Sequence, residues 1–197
     1  MVEEERVQHL AEEERGAGRE DTRTREAVVA TTGEVLTYDL TPIEAYFHSS
    51  CGGQTESGRT ALGRDLPYLQ SVECPCGHEV GTGWTLELGA SQLKKVHLDA
   101  EDLKVRLRSQ TGRALSIGDG KKVVDAVTFR QLLGYDQVKS LWFSVKATDD
   151  GIKLVGRGMG HGAGLCQWGS KVLAEEGWDY RQILEHYYPN TEIQKMY

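Results

Sequence analysis

The sequence predicts an α+β fold, and three observations carry that prediction. β-branched and aromatic runs broken by turn residues fill the middle of the chain, two capped amphipathic segments close its C-terminal side, and no internal repeat is visible. The expected architecture is mixed strands and short helices, with two C-terminal helices after a Gly-rich turn. A chain of 197 residues, 39% of them hydrophobic, can bury one good-sized core or two small ones.

The elements follow in order. Residues 1–26, MVEEERVQHLAEEERGAGREDTRTRE, are crowded with charge, and their one apolar stripe is Val7, Leu10 and Ala11. They read as a charged N-terminal arm, and residues 27–197 as the folded domain. AVVATTGEVLTYDLTPIEAYFHSS reads as successive strands broken at Thr32-Gly33 and Asp39. A loop-rich stretch runs from Cys51 to Gly83. WTLELGASQLKKVHL reads as a strand, a cap at Ser91 and a short helix. Strands are expected at LKVRLRS, ALSIG and KKVVDA, then a short helix TFRQLLG that Gly134 terminates. SLWFSVKAT and IKLVGRG form a strand pair around Asp149-Asp150-Gly151. LCQWGSKVLAEEG and YRQILEHYYPN read as helices, with Asp179 as a cap and Gly177 and Pro189 as stops.

Charge excludes one broad class of partner. The net charge is -7, and the short pairs Lys94-Lys95 and Lys121-Lys122 are solvated surface, so nucleic acid is not expected as a partner. The opening MVEEERVQHL has neither the basic start nor the apolar stretch of a signal peptide, and no run reaches the length of a membrane span.

The segment GRGMGHGAGLCQWGS places glycine at every second position from Gly156 to Gly164 around His161. It is not a dinucleotide fingerprint, because no starting glycine gives G-x-G-x-x-G, and it is not a phosphate loop, because Lys171 falls one place late. Two readings remain. Gly160, His161 and Gly162 expose backbone and an imidazole toward a ligand, with Gln167 and Trp168 opening the helix that follows. Alternatively, the segment is a packing turn with His161 hydrogen-bonded to backbone.

A second constellation joins FHSSCGGQT to YLQSVECPCGHEV. His48, Cys51, Cys74 and Cys76 are soft ligands suited to a tetrahedral zinc ion, although C-x-C is not the usual C-x-x-C knuckle. A disulfide from Cys51 to Cys74 or Cys76 is the alternative, and Cys51 as a nucleophile ranks last. Glu44, Glu56, Glu73 and Glu79 lie near the cysteine loops, and each is most simply a surface charge.

These constellations, in this order and spacing, resemble the stage II sporulation protein D and amidase-enhancer family of bacterial cell-wall proteins. The likeness runs through AVVATTGEVLTYDLTPIEAYFHSSCGGQTES, LPYLQSVECPC, TFRQLLG, SLWF and GRGMGHGAGLCQWGSKVLAEEGWDYRQILEHYYPNTEI. The resemblance implies action on peptidoglycan, as a lytic transglycosylase of glycan strands stripped of peptide or as a stimulator of a cell-wall amidase. It also implies an extracytoplasmic location reached by an export signal. Ser49, Ser50, Gly160, His161, Gly162, Gln167 and Trp168 become the expected walls of a glycan groove. Family members that cleave use a glutamate in a Gly-Glu-Met-Pro-like segment, and no such segment occurs in these residues, so the domain is expected to be incomplete at its N-terminal side and inactive alone. The His and Cys zinc cluster of some members belongs to that same upstream region.

Overall fold

The computed structural model describes residues 22–78 and 82–196. The charged arm, with its stripe at Val7, Leu10 and Ala11, lies outside them up to residue 21, as does Glu79. The chain divides into two compact units, Met1–Leu36 with Ile193–Tyr197, and Thr37–Glu192.

In the first unit, helix α1 spans Thr22–Ala30, where the β-branched residues predicted the start of a strand. Val28 and Val29 are 62% and 68% exposed, so no sheet surface rewards their branching and local helical hydrogen bonds prevail. The helix stops in a threonine turn: the Thr31 and Thr32 hydroxyls donate back to the Ala27 and Val28 carbonyls, 2.9 and 3.0 Å away. The Met196 N–H donates to the Gly33 carbonyl at 2.8 Å, bringing the C-terminal residues onto this turn.

Strand β1 is Glu34–Tyr38, and its last two residues pair antiparallel with β2, Thr41–Pro42. Asp39 and Leu40 between them both have positive φ, 49° and 60°, as a two-residue hairpin with the right twist demands. Next come β3, Phe47–His48, and α2, Gly58–Leu62, which Ser57 caps by accepting from the Thr60 N–H. The Cys74–Cys76 loop makes a 3-10 turn over Pro75–His78.

The apolar core is built from β4 (Gly83–Gly89), α3 (Ala90–Lys95), β5 (Lys104–Arg108), β6 (Ala114–Gly118), β7 (Val123–Asp125), α4 (Ala126–Leu133), β8 (Phe143–Thr148) and β9 (Gly151–Arg157). These strands form two antiparallel sheets, ordered β4-β9-β8 and β5-β6-β7. Alternation places Trp84 and Leu88 of β4, and Ile152 and Leu154 of β9, on buried faces. Helix α4 seals them with Ala126, Phe129 and Leu133, at the three- and four-residue spacing of one helix face. The start of α3 is a correction to the sequence reading. Its cap is Gly89, two residues before the predicted Ser91, because the Gln92 side chain accepts from the Gly89 N–H at 3.0 Å and draws Ser91 into the first turn.

Strand β10, Leu165–Cys166, leads into α5, Gln167–Glu175; α6 spans Tyr180–Tyr187 and β11 spans Glu192–Lys195. Asp179 caps α6 as predicted: its carboxylate accepts from the Arg181 and Gln182 N–H groups, and Gln182 returns the bond to the Asp179 N–H. With helices and strands both present in several small sheets, the fold is α+β as the sequence predicts.

Candidate functional site

The two constellations singled out in the sequence meet at one place. Strand β3 pairs in parallel with β10, Phe47 beside Leu165 and His48 beside Cys166. Ser50 bridges Met159 through two backbone hydrogen bonds of 3.0 and 2.7 Å, and the Trp168 N–H donates to the Ser49 carbonyl at 3.1 Å. The HSSCGG strand end and the glycine run are therefore neighbours, held together by backbone.

Two positions of the run illustrate why its backbone is bare. Gly164 has φ 70°, and a Cβ there would collide with the Tyr46 carbonyl. Gly162 has φ 89°, and its missing Cβ leaves room for the Arg113 guanidinium, whose nearest nitrogen would stand 2.8 Å from it.

His161 takes the second of its two sequence readings. The Ala163 N–H donates to Nδ1 at 3.1 Å, so Nε2 carries the proton and donates to the Phe47 carbonyl at 2.9 Å. Burial depresses its pKa, which keeps the ring neutral. The ring ties β3 to the glycine run and has no nitrogen left for a ligand. His48 is more deeply buried. Its Nδ1 lies 3.1 Å from the Ala163 carbonyl, Nε2 has no hydrogen-bond partner among the described residues, and burial pushes its pKa down to about 4. The two rings stand edge to face, 5.5 Å apart.

The predicted metal ligands divide. Cys51, Cys74 and Cys76 converge, but the fourth sulfur beside them belongs to Cys166, and His48 turns its ring toward Ala163 instead. The four sulfurs lie within 4.8 Å of one another and all are buried as free thiols. The Cys51 and Cys76 sulfurs stand 3.3 Å apart. The Cys51 and Gly169 N–H groups donate to the Cys166 sulfur at 3.3 and 3.4 Å, and the Tyr187 hydroxyl lies 3.1 Å from Cys74. Hydrogen bonds from Cys166 and Cys51 hold the Cys76 thiol well below the ordinary range. Sequence proximity favoured His48, three residues from Cys51; the count of four cysteines was the better signal.

Glu56 is a further correction. It is 3% exposed, not a surface charge. The Ser57 N–H donates to one carboxylate oxygen and the Thr111 hydroxyl to the other. Arg113, also buried, donates to Thr111 Oγ1 at 2.9 Å and to the Cys51 and Gln54 carbonyls at 3.0 and 2.7 Å, so carboxylate and guanidinium are bridged by one hydroxyl. Backbone completes the connection, since the Glu56 N–H donates to the Gly162 carbonyl at 2.8 Å. Beside this network lies a polar cleft of about 720 Å³, whose lining includes Glu56, Arg59, Gln70, Arg108 and Gln110. No local pattern in TGRALS marks Arg113 as an interior cation. Glu44, by contrast, is the surface charge expected, paired with Arg64 at 2.6 Å.

The remaining predicted residues sit at the surface around the β3–β10 pair. Gln167 is exposed and Trp168 is 39% exposed on the first turn of α5, while Phe47 of β3 is 61% exposed. Ser50, in contrast, is buried, and its hydroxyl faces the Cys76 sulfur at 3.6 Å.

No family model matches the chain. The chain is 32% identical to the stage II sporulation protein D of Bacillus subtilis over 182 residues, covering 85% of this chain and 50% of that protein. It is 32% identical to an uncharacterized protein of Brachyspira hyodysenteriae over 175 residues, with 85% and 48% covered. The chain belongs with the stage II sporulation protein D and amidase-enhancer family. A more distant member is the amidase enhancer of Bacillus subtilis, 26% identical over 232 residues, with 88% of this chain and 33% of that protein covered. The chain thus spans about half the length of the first curated relatives it matches. Among the described residues, no helix is long and apolar enough to cross a membrane.

Proposed function

We propose that this chain binds peptidoglycan glycan strands as part of a bacterial cell-wall processing protein of the lytic transglycosylase type, working outside the cytoplasm. The observation that carries the reading is the set of exposed aromatic and amide groups, Phe47, Gln167 and Trp168, around the β3–β10 pair. Sugar rings offer flat apolar faces edged with hydroxyls, and an aromatic platform beside an amide suits them. A hollow of about 310 Å³ lined by Glu44, Ala45, Tyr46 and Phe47 adjoins this surface. Ser49, His161 and the glycines support it from beneath: His161 spends both nitrogens on backbone and positions the wall.

The reading assigns binding, not bond cleavage, to these residues. Glycosidic cleavage needs a carboxylic acid free to protonate the leaving oxygen. Glu56, the buried glutamate nearest the glycine run, has both oxygens engaged by Thr111 and Ser57. Retention of denuded glycan strands by the purified chain is the test. Trp168→Ala is expected to weaken binding between about twofold and tenfold, the worth of one aromatic contact. Absence of any affinity, or affinity unchanged from the parent chain in both Phe47→Ala and Trp168→Ala, would overturn the groove.

A second reading rests on the match to the amidase enhancer over 88% of the chain. In it the same surface contacts a cell-wall amidase. Stimulation of such an amidase by the chain, without retention on glycan, would favour it.

A further inference from the structure

We propose that Cys51, Cys74, Cys76 and Cys166 form a closed tetrathiolate zinc site that staples the HSSCGG strand end, the Cys74–Cys76 loop and the start of α5 to one another. Four sulfurs at about 2.3 Å from a central ion stand about 3.8 Å apart, and the four here already lie within 4.8 Å. Three separate stretches of chain supply them, with Cys51 and Cys166 115 positions apart in sequence. Convergence of that kind does not follow from a local turn.

The surroundings fit thiolates. Zinc binding displaces the four thiol protons without any change of oxidation state, leaving a centre of net charge about -2. Donors already face the sulfurs: the Cys51 and Gly169 N–H groups at Cys166, the Ser50 hydroxyl 3.6 Å from Cys76 and the Tyr187 hydroxyl 3.1 Å from Cys74. Cys166 is also the N-cap of α5, where the helix dipole favours negative charge. Arg113, bonded to the Cys51 carbonyl, brings a buried cation to the same loop. Four sulfur ligands fill a tetrahedron and leave no position for water or substrate, so the site is structural. A single disulfide between Cys51 and Cys76 would use two of the sulfurs and leave the buried convergence of Cys74 and Cys166 without a purpose.

This inference is independent of glycan binding, and its test uses no glycan. The 197-residue chain, purified without chelator from cells supplied with zinc, is expected to hold about one zinc per chain by elemental analysis. Exchange with cobalt(II) is expected to give the intense charge-transfer and ligand-field bands of a tetrahedral thiolate site. Cys166→Ala is expected to weaken zinc binding more than about tenfold, whereas His48→Asn retains the metal. Should Cys166→Ala fail to fold, the cobalt spectrum of the unaltered chain decides alone. Four titratable thiols without metal, a Cys51–Cys76 disulfide in the mass spectrum, iron in place of zinc, or metal lost in His48→Asn and kept in Cys166→Ala would each overturn the proposal.

Discussion

Within residues 37–192, the sheets β4-β9-β8 and β5-β6-β7 hold together by apolar burial, whereas the region around β3, β10 and α5 holds together by backbone contacts, sulfur and buried polar groups. The first has Trp84, Leu88, Ile117, Phe129, Phe143 and Leu154 in one cluster. The second has the four cysteines, two histidines, Glu56 and Arg113, with Tyr187 and Tyr188 as its large buried rings. Apolar burial is non-directional and tolerates repacking, while hydrogen bonds and sulfur contacts demand particular atoms at particular places. The second region should therefore be the less forgiving of small changes, and that difference can be measured.

The largest effect sets one substitution in each region side by side. Phe129 is fully buried with its ring 6.2 Å from Phe143, so Phe129→Ala is expected to cost about 3–5 kcal/mol in urea denaturation. Phe129→Leu, which keeps most of the volume, is expected to recover more than half of that. Gly164→Ala adds a single methyl group, yet forces an alanine to φ 70° and drives it into the Tyr46 carbonyl. Its cost should rival that of Phe129→Ala. A Gly164→Ala protein as stable as the parent would remove the contrast between the regions.

Next in size is a pH dependence confined to the second region. The His48 pKa of about 4 lies below the ordinary value of 6.5, chiefly because burial disfavours the charged ring. The unfolded chain takes up a proton as pH falls through 6.5, and the folded chain resists until about 4. Stability from this group is therefore complete above about pH 7 and falls between 6.5 and 4, by up to about 3 kcal/mol in all. His48→Asn keeps a donor for the Ala163 carbonyl and cannot titrate. Unfolding followed from pH 7.5 to 4.5 should show a smaller loss in the variant; equal losses would mean that other groups, such as thiolates taking up protons, carry the acid sensitivity.

The same contrast explains what the sequence could disclose. The strands around Trp84, Ile117, Phe143 and Leu154, helix α4 with its Gly134 stop and helix α6 with its Asp179 cap were legible because their signals are local: period-two burial, three-and-four spacing, capping side chains. Where tertiary packing withholds its reward, as at the exposed Val28 and Val29, the local signal misled. The candidate site was legible as ingredients only. HSSCGG and the glycine run stood out as unusual segments, and the family resemblance joined them. That Cys166 would replace His48 beside the other cysteines, that Arg113 and Glu56 would be interior, and that His161 would spend both nitrogens on backbone depend on contacts across 55 to 115 residues. No spacing rule encodes those.

The smallest effect concerns exposed charge, which should matter little in either region. Lys153 and Glu87 face each other directly across β9 and β4, with nitrogen and oxygen 3.0 Å apart and side chains 37% and 74% exposed. Solvent screening and the entropy of fixing two long side chains leave such a pair within about 0.5 kcal/mol of nothing, so Lys153→Ala should barely move the urea midpoint, and added salt should erase the remainder. The pair in the other region is built differently. Arg64 grips Glu44 with two parallel bonds of 2.7 and 2.6 Å and also donates to the Tyr46 hydroxyl at 2.9 Å. Planar two-point geometry is lost when a lysine replaces the guanidinium. Arg64→Lys should accordingly cost more than Lys153→Ala although it retains the charge. If the order were reversed, geometry would matter no more around β3 than in the apolar sheets, and charge alone would govern the surface of both.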